Sequence, residues 1–227
     1  VLIGEKIYVP GGRLEGGENT DVLEVYDPRR DTWEQKASLP IKISGYALAD
    51  FEGEMYLFGG WDGEEVLDIA LRYDPQEDAW EYVTPMPTAR AYAGAAEAGG
   101  KIYVIGGWDG EKELDVNESY APARSGVNDT VWQDENPIPN KGFGYAIHSI
   151  AEIIFLLDES GIWQYNTQEK SWTLISTMVG DFSPNSVGIT GYQGDLFIFG
   201  GSYNNRKIAK NWKFQMFFII AIPAISK

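Results

Sequence analysis

One phrase recurs along this chain: a run of β-forming residues that ends in two glycines. It is written KIYVPGG at 6–12, MYLFGGWDG at 55–63, KIYVIGGWDG at 101–110 and LFIFGG at 196–201. The second glycine falls at 12, 60, 107 and 201, so the first three copies are 48 and 47 residues apart. A fixed period of this length marks an array of similar structural units. It constrains the fold more tightly than any other feature of the sequence.

Two further anchors keep step with the glycines. Tyr26, Tyr73, Tyr120 and Tyr165 recur at intervals of 47, 47 and 45 residues, and Trp33, Trp80, Trp132 and Trp172 each follow their tyrosine. Tyr26-Asp27-Pro28 and Tyr73-Asp74-Pro75 carry turn-formers that end a strand. Each unit reads as four short strands; in the third they fall near 91–98, 101–106, 114–120 and 130–133. These segments are rich in Tyr, Val, Ile and Trp and are bounded by Gly, Pro, Asn or Asp, which leaves no room for helices. Four-stranded units repeated through a chain are the blades of a β-propeller.

The glycine pair, the tyrosine and the tryptophan, in this order, resemble the kelch repeat, and the likeness spans nearly the whole chain. The expected fold is therefore all-β: one kelch-type propeller over 1–227, with blades at about 1–38, 41–85, 88–136, 139–177 and 185–222. The resemblance implies that the second strand ends in the glycine pair and that the aromatics pack between blades. Loops joining second to third strands, and fourth to first, then share one face around a central channel.

Blade four departs from the pattern. Asp158-Glu159 stands in place of the glycines, and Tyr165 comes 7 residues after Asp158, whereas Tyr120 comes 14 after Gly106. A tight hairpin around Glu159-Ser160-Gly161 replaces the long loop. In blade five Phe214 stands where the tyrosine is expected, and the apolar run from Met216 to Ile222 reads as one long strand or two with a bend. Continued to 225 it is still far short of the ~20 residues that span a bilayer, so no membrane insertion is expected. Val1-Leu2-Ile3 aligns with Ala96-Glu97-Ala98 at the end of a first strand. This suggests a processed N-terminus or a piece of a longer protein, with the ring closed by side-chain packing or by further blades.

Composition narrows the chemistry. The formal charge is −16, which argues against nucleic acid and anionic membranes as partners. The chain has no cysteine, which removes disulfides, thiolate catalysis and cysteine-ligated metals. The copper chemistry of galactose-oxidase-like kelch enzymes, which uses a cysteine-linked tyrosine, goes with them. High Trp, Tyr and Gly content without cysteine leans toward a secreted or surface protein of a bacterium.

Several residues invite a functional reading. Trp61 and Trp108 top two loops of the recognition face; they either anchor a partner or stack on a sugar, or they cap their own blades. Asp62 and Asp109 open acidic runs at 61–68 and 108–115, which form a charged rim and lack the register of a calcium loop. Lys42, Arg90 and Lys141 lie in successive fourth-to-first connections, with Arg90 one place on from the other two; they could ring the channel mouth and hold a carboxylate or acidic peptide. His148, the only histidine, aligns with Ala49 and Ala96 on the innermost strand. One histidine without cysteine does not build the usual zinc or copper sites, so no metal or cofactor is expected. Asn117-Glu118-Ser119 and Asn128-Asp129-Thr130 match the glycosylation triplet. Arg206, Lys207, Lys210, Lys213 and Lys227 gather in a stretch without acids, which predicts an electrostatic seam against Glu15, Glu18 and Asp21 if the ring closes.

The leading expectation is a non-enzymatic binding or scaffold module for a protein segment or glycan on the loop face. The alternative is a cofactor-free, mutarotase-like carbohydrate enzyme in the channel, using Arg90, Glu97 and His148.

Overall fold

The structure, a computed structural model, describes the chain except residues 123–130, 178–181, 194, 204–205, 208–210 and 216–227. The first blade consists of β1 (Leu2–Ile3), β2 (Lys6–Arg13), β3 (Asn19–Asp27) and β4 (Thr32–Lys36). The second is β5 (Ala47–Phe51), β6 (Glu54–Phe58), β7 (Ala70–Asp74) and β8 (Ala79–Tyr82), and the third is β9 (Gly94–Ala98), β10 (Lys101–Ile105), β11 (Asn117–Ala121) and β12 (Val131–Asp134). The fourth is β13 (Ala146–Ile150), β14 (Ile153–Asp158), β15 (Gly161–Asn166) and β16 (Ser171–Thr177). The fifth contains β17 (Phe182–Tyr192), β18 (Asp195–Tyr203), β19 (Arg206–Lys207) and β20 (Asn211–Gln215). Each is a four-stranded antiparallel sheet, and together they form a five-bladed propeller. Among the described residues there is no helix.

The register explains the sequence period. In every blade the tyrosine position pairs with the second residue of the second strand: Ile7 with Tyr26, Met55 with Tyr73, Ile102 with Tyr120, Ile154 with Tyr165 and Leu196 with Phe214. The tyrosine then faces its tryptophan across the next strand pair, with ring centroids 4.8–5.0 Å apart in all four Tyr–Trp pairs. Such pairs add about 0.5–1.5 kcal/mol beyond the area they bury. Blade four keeps this register although its loop is gone, because a two-residue turn joins Asp158 to Gly161.

The core is divided into layers between blades. The four apolar clusters of buried side chains lie one at each junction of successive blades. Three tryptophans also tie each blade to the one before it. The indole nitrogens of Trp80, Trp132 and Trp172 donate at 3.0 Å to the carbonyls of Ala37, Thr84 and Asn136. Trp33 of blade one is instead 58% exposed, and Leu2, Ile7 and Val9 beside it are exposed as well.

Two strand starts in blade three fall three residues later than the sequence reading, and the other boundaries agree within one residue. Residues 91 and 114 form isolated bridges to loop residues in place of extending β9 and β11. The apolar run from Met216 to Ile222, the triplet at Asn128, and Lys210 and Lys227 of the basic group lie outside the described residues. Of the basic group whose side chains are described, Lys213 pairs with Asp195 in its own sheet at 2.6 Å. Asn117 is buried, with its amide bonded to the Asn136 carbonyl, so the first triplet offers no accessible acceptor.

The glycine pair is required by clearance. Gly59 has φ +60° and a methyl group there would lie 2.1 Å from the Arg90 carbonyl oxygen, a backbone atom that cannot swing away. Among the described residues nothing lies within 4 Å of a methyl group placed at Gly188. Gly59→Ala should therefore cost more than about 3 kcal/mol in denaturant unfolding, and Gly188→Ala should stay within about 0.5 kcal/mol of the parent.

Candidate functional site

The loop face is assembled from the glycine pairs upward. The N–H of the second glycine in each regular blade donates to the linker that enters the next blade: Gly12 to Ile43 at 2.8 Å, Gly60 to Arg90 at 3.0 Å and Gly107 to Gly142 at 2.9 Å. The chain then turns back over its own incoming linker. Trp61 exchanges two backbone bonds with Ser44, and Trp108 does the same with Ala91. Asp62 and Asp109 close these loops. One oxygen of Asp62 accepts from the Glu64 and Glu65 amides, and one of Asp109 from those of Glu111 and Lys112, at 2.8–2.9 Å. These bonds hold both carboxyls below the usual carboxylate range. Their carboxylates are thus committed to loop geometry. Among the described residues no group of His, Asp or Glu is placed to hold a metal ion.

Aromatic rings cover this face. Trp61 and Trp108 meet with centroids 6.3 Å apart, inclined at 41°. Beside them Tyr92 and Phe143 meet at 6.0 Å and 48°, and they are 41% and 44% exposed. This second pair is not among the residues that the repeat pattern marks. A signal was present: Tyr92 occupies the linker position held by Gly45 and Gly144. The three share left-handed φ values of 57°, 65° and 67°, and backbone bonds run from Tyr92 to Gly45 and from Gly144 to Tyr92. A tyrosine in this conformation costs about 1 kcal/mol or more relative to glycine, and such strain gathers at functional positions.

The three linker cations do not form a ring. Lys42 is exposed at the edge of a shallow depression with Arg13, Glu18 and Trp61. Lys141 is exposed and lies 3.8 Å from Asp115. Arg90 is fully buried, its guanidinium 2.7 Å from the equally buried Glu118, with a further bond to the Val104 carbonyl. Burial lowers the Arg90 pKa, and Glu118 opposes that shift. Arg90 takes the linker position of Ile43, which is also buried, and Glu118 takes the strand position of Leu71. An ion pair between blades two and three therefore replaces an aliphatic contact between blades one and two.

The channel holds a separate cavity of about 310 Å³ lined by Asp50, Glu97, His148 and Ser149 among others. His148 is half-buried and packs against Gly191 of blade five. Burial lowers its pKa. Glu97 accepts a bond from the Gly100 amide in its own hairpin at 2.9 Å. Arg90 does not reach this cavity, since its charge is spent on Glu118. The channel therefore lacks the arginine of the enzyme reading.

Comparison with known proteins agrees with this architecture. The model of the KLHDC2/KLHL20/DRC7 Kelch-repeats domain matches residues 1–201. Alpha-scruin of Limulus polyphemus is 41% identical over 59 residues, covering 26% of this chain and 6% of that protein. Kelch-like protein 6 of Homo sapiens is 33% identical over 60 residues, covering 26% and 10%. The chain thus aligns with only a small part of these curated relatives. The solved structure of YjhT superposes with a TM-score of 0.78 at 14% identity, over 93% of this chain and 78% of that one, a likeness of fold.

Two outcomes follow from these contacts. Arg90→Ile alone leaves a buried carboxylate unpaired and should cost about 3–5 kcal/mol, whereas Arg90→Ile with Glu118→Leu, which copies the blade-two pair, should recover most of that loss in urea unfolding. His148 has its folded pKa below the ordinary 6.5. As pH falls through 6.5 the unfolded chain takes up the proton first, so stability is lost toward acid. The fall in melting temperature between about pH 7 and pH 5 should be shallower in His148→Gln.

Proposed function

This chain belongs to the kelch-repeat family of β-propellers, and from that premise we propose that it is a non-enzymatic binding module whose loop face takes a segment of a partner protein. Kelch propellers are typically protein-interaction modules. The observation that carries the proposal is the pairing of Trp61 with Trp108 beside Tyr92 and Phe143 on one face. Large aromatics on a rigid scaffold are the residues that dominate protein interfaces. The rings in each pair are inclined by 41° and 48°, so neither pair offers the flat platform on which a sugar face would lie. Around them Glu64, Glu65, Glu111 and Glu113 are exposed, which favours a segment with lysine or arginine. The acidic ligand expected from a cation ring is disfavoured, because Arg90 is withdrawn into the core.

A displayed library of random dodecapeptides selected on the wild-type protein tests this reading. Enriched peptides should carry basic residues and bind Trp61→Ala and Trp108→Ala about thirtyfold more weakly, the usual cost of truncating an aromatic anchor. Binding unchanged in both variants, or ligands recovered from a glycan array and none from the peptide library, would sink it.

A further inference from the structure

Blade four lacks the loop that carries Trp61 in blade two and Trp108 in blade three. In those blades the tryptophan is held by a backbone bridge to the incoming linker, at 2.7 and 3.0 Å with Ser44 and at 2.8 and 2.9 Å with Ala91. The matching linker residue in blade four is Phe143. It follows Gly142, whose carbonyl takes the second-glycine N–H as those of Ile43 and Arg90 do, and it precedes Gly144, the left-handed position shared with Gly45 and Tyr92. The blade-four hairpin turns at Glu159-Ser160; it meets the linker at Asn140, whose amide donates to Asp158 and Ser160, and forms no backbone bridge to Phe143. Among the described residues the Phe143 N–H and C=O have no hydrogen-bond partner.

Beside Phe143 lies a cavity of about 310 Å³, walled by Tyr145 and the linker on one side and by the hairpin on the other. It opens where the other blades place their loop. Asp158 at its base is already satisfied by Asn140, Ser160, Gly161 and Trp163. Lys141 is taken by Asp115. Glu113 and Glu159, both exposed, remain to give the rim negative charge.

We propose that this notch docks an extended segment of a partner protein, which supplies in trans the aromatic residue and the antiparallel bridge that blade four does not supply itself. The segment pairs its backbone with Phe143, places an aromatic side chain in the cavity, and presents lysine or arginine to Glu113 and Glu159. This is strand addition on the scale of one bridge, with the neighbouring blades as its template. The inference rests on the loop face being the binding face, and it adds the location and the form of the ligand.

The molecule provides its own probe. A labelled dodecapeptide copying residues 57–68, with Glu64→Lys and Glu65→Lys, reproduces the tryptophan loop with a basic flank. Fluorescence anisotropy should show saturable binding, at least tenfold weaker when the peptide carries Trp61→Ala. Glu159→Lys in the protein, an exposed change that leaves folding intact, should weaken binding at least fivefold and flatten its salt dependence. Phe143→Pro removes the N–H; should it fail to fold, amide shifts at Phe143 and Tyr145 in the wild type provide the same answer. No saturation at millimolar peptide, equal binding of the Trp61→Ala peptide, or shifts confined elsewhere would overturn the notch. So would a Phe143 amide already protected without peptide, or a wild-type dimer abolished by Phe143→Pro, since either assigns the notch to this chain or its copy. Failure here with the Trp61 and Trp108 variants still defective toward library peptides removes the notch and leaves the loop-face reading standing.

Discussion

Everything on the loop face depends on one crossing. The second strand of each regular blade passes under the linker to the next blade with no room for a side chain. A methyl group on Gly11, Gly59 or Gly106 would lie 2.8, 2.1 or 2.8 Å from the linker carbonyl of Ile43, Arg90 or Gly142. The adjoining glycine turns its N–H into the same carbonyl. Two tasks are done in two residues: neighbouring blades are fastened at their inner corner, and the chain is launched upward into a loop. The φ values of +56° to +65° at the first glycine and +106° to +115° at the second are what the crossing demands. That demand is the reason the pair can be read in the sequence at all.

The tyrosine–tryptophan wedge is the complementary constraint at the outer edge of each blade. In blades one and two the tyrosine hydroxyl donates at 2.7 Å to an aspartate two residues before the tryptophan, Asp31 or Asp78. Blade four has Lys170 in that place, with the same left-handed φ. The hydroxyl of Tyr165 turns instead to Glu135 of blade three, which Lys170 also reaches, at 2.9 Å, and to which Ser119 donates. The acceptor has moved from within the blade to the blade before it. The buried polar group stays satisfied, and the exchange adds a charged tie across the junction.

How far the sequence could be read follows from the same geometry. Period, glycines and aromatics are backbone and packing requirements repeated from blade to blade, so they appear as a repeat, and the break at Asp158-Glu159 marks the shortened hairpin of blade four. Side-chain direction was harder. Lys42 and Lys141 align with each other and Arg90 stands one place on. In an extended linker a shift of one residue turns a side chain from the surface to the interior. That offset put Arg90 in the position of buried Ile43, against a glutamate that no local pattern linked to it. Tyr92 was hidden for the opposite reason: it stands in a glycine position, and only the observed φ shows that the residue is out of place there.

Blade four then shows how a repeat architecture can specialise one face while its sheet stays seated between its neighbours. Its contacts with blades three and five come from strand residues such as Ile154, Leu156, Phe155 and Leu157, which sit in the clusters on either side. Stability in stacked repeats is close to a sum of neighbour terms, so these strand contacts hold the sheet in place although it lacks the loop that in blade two adds Leu67 to the junction with blade one. Asp158 makes the deletion structurally complete by capping the turn that replaces the glycines, with Gly161 placed where a Cβ would collide with the Ser176 carbonyl oxygen at 1.9 Å. The hairpin is therefore a built feature with its own glycine requirement, and the linker it leaves uncovered keeps the backbone geometry that its neighbours use to hold a tryptophan.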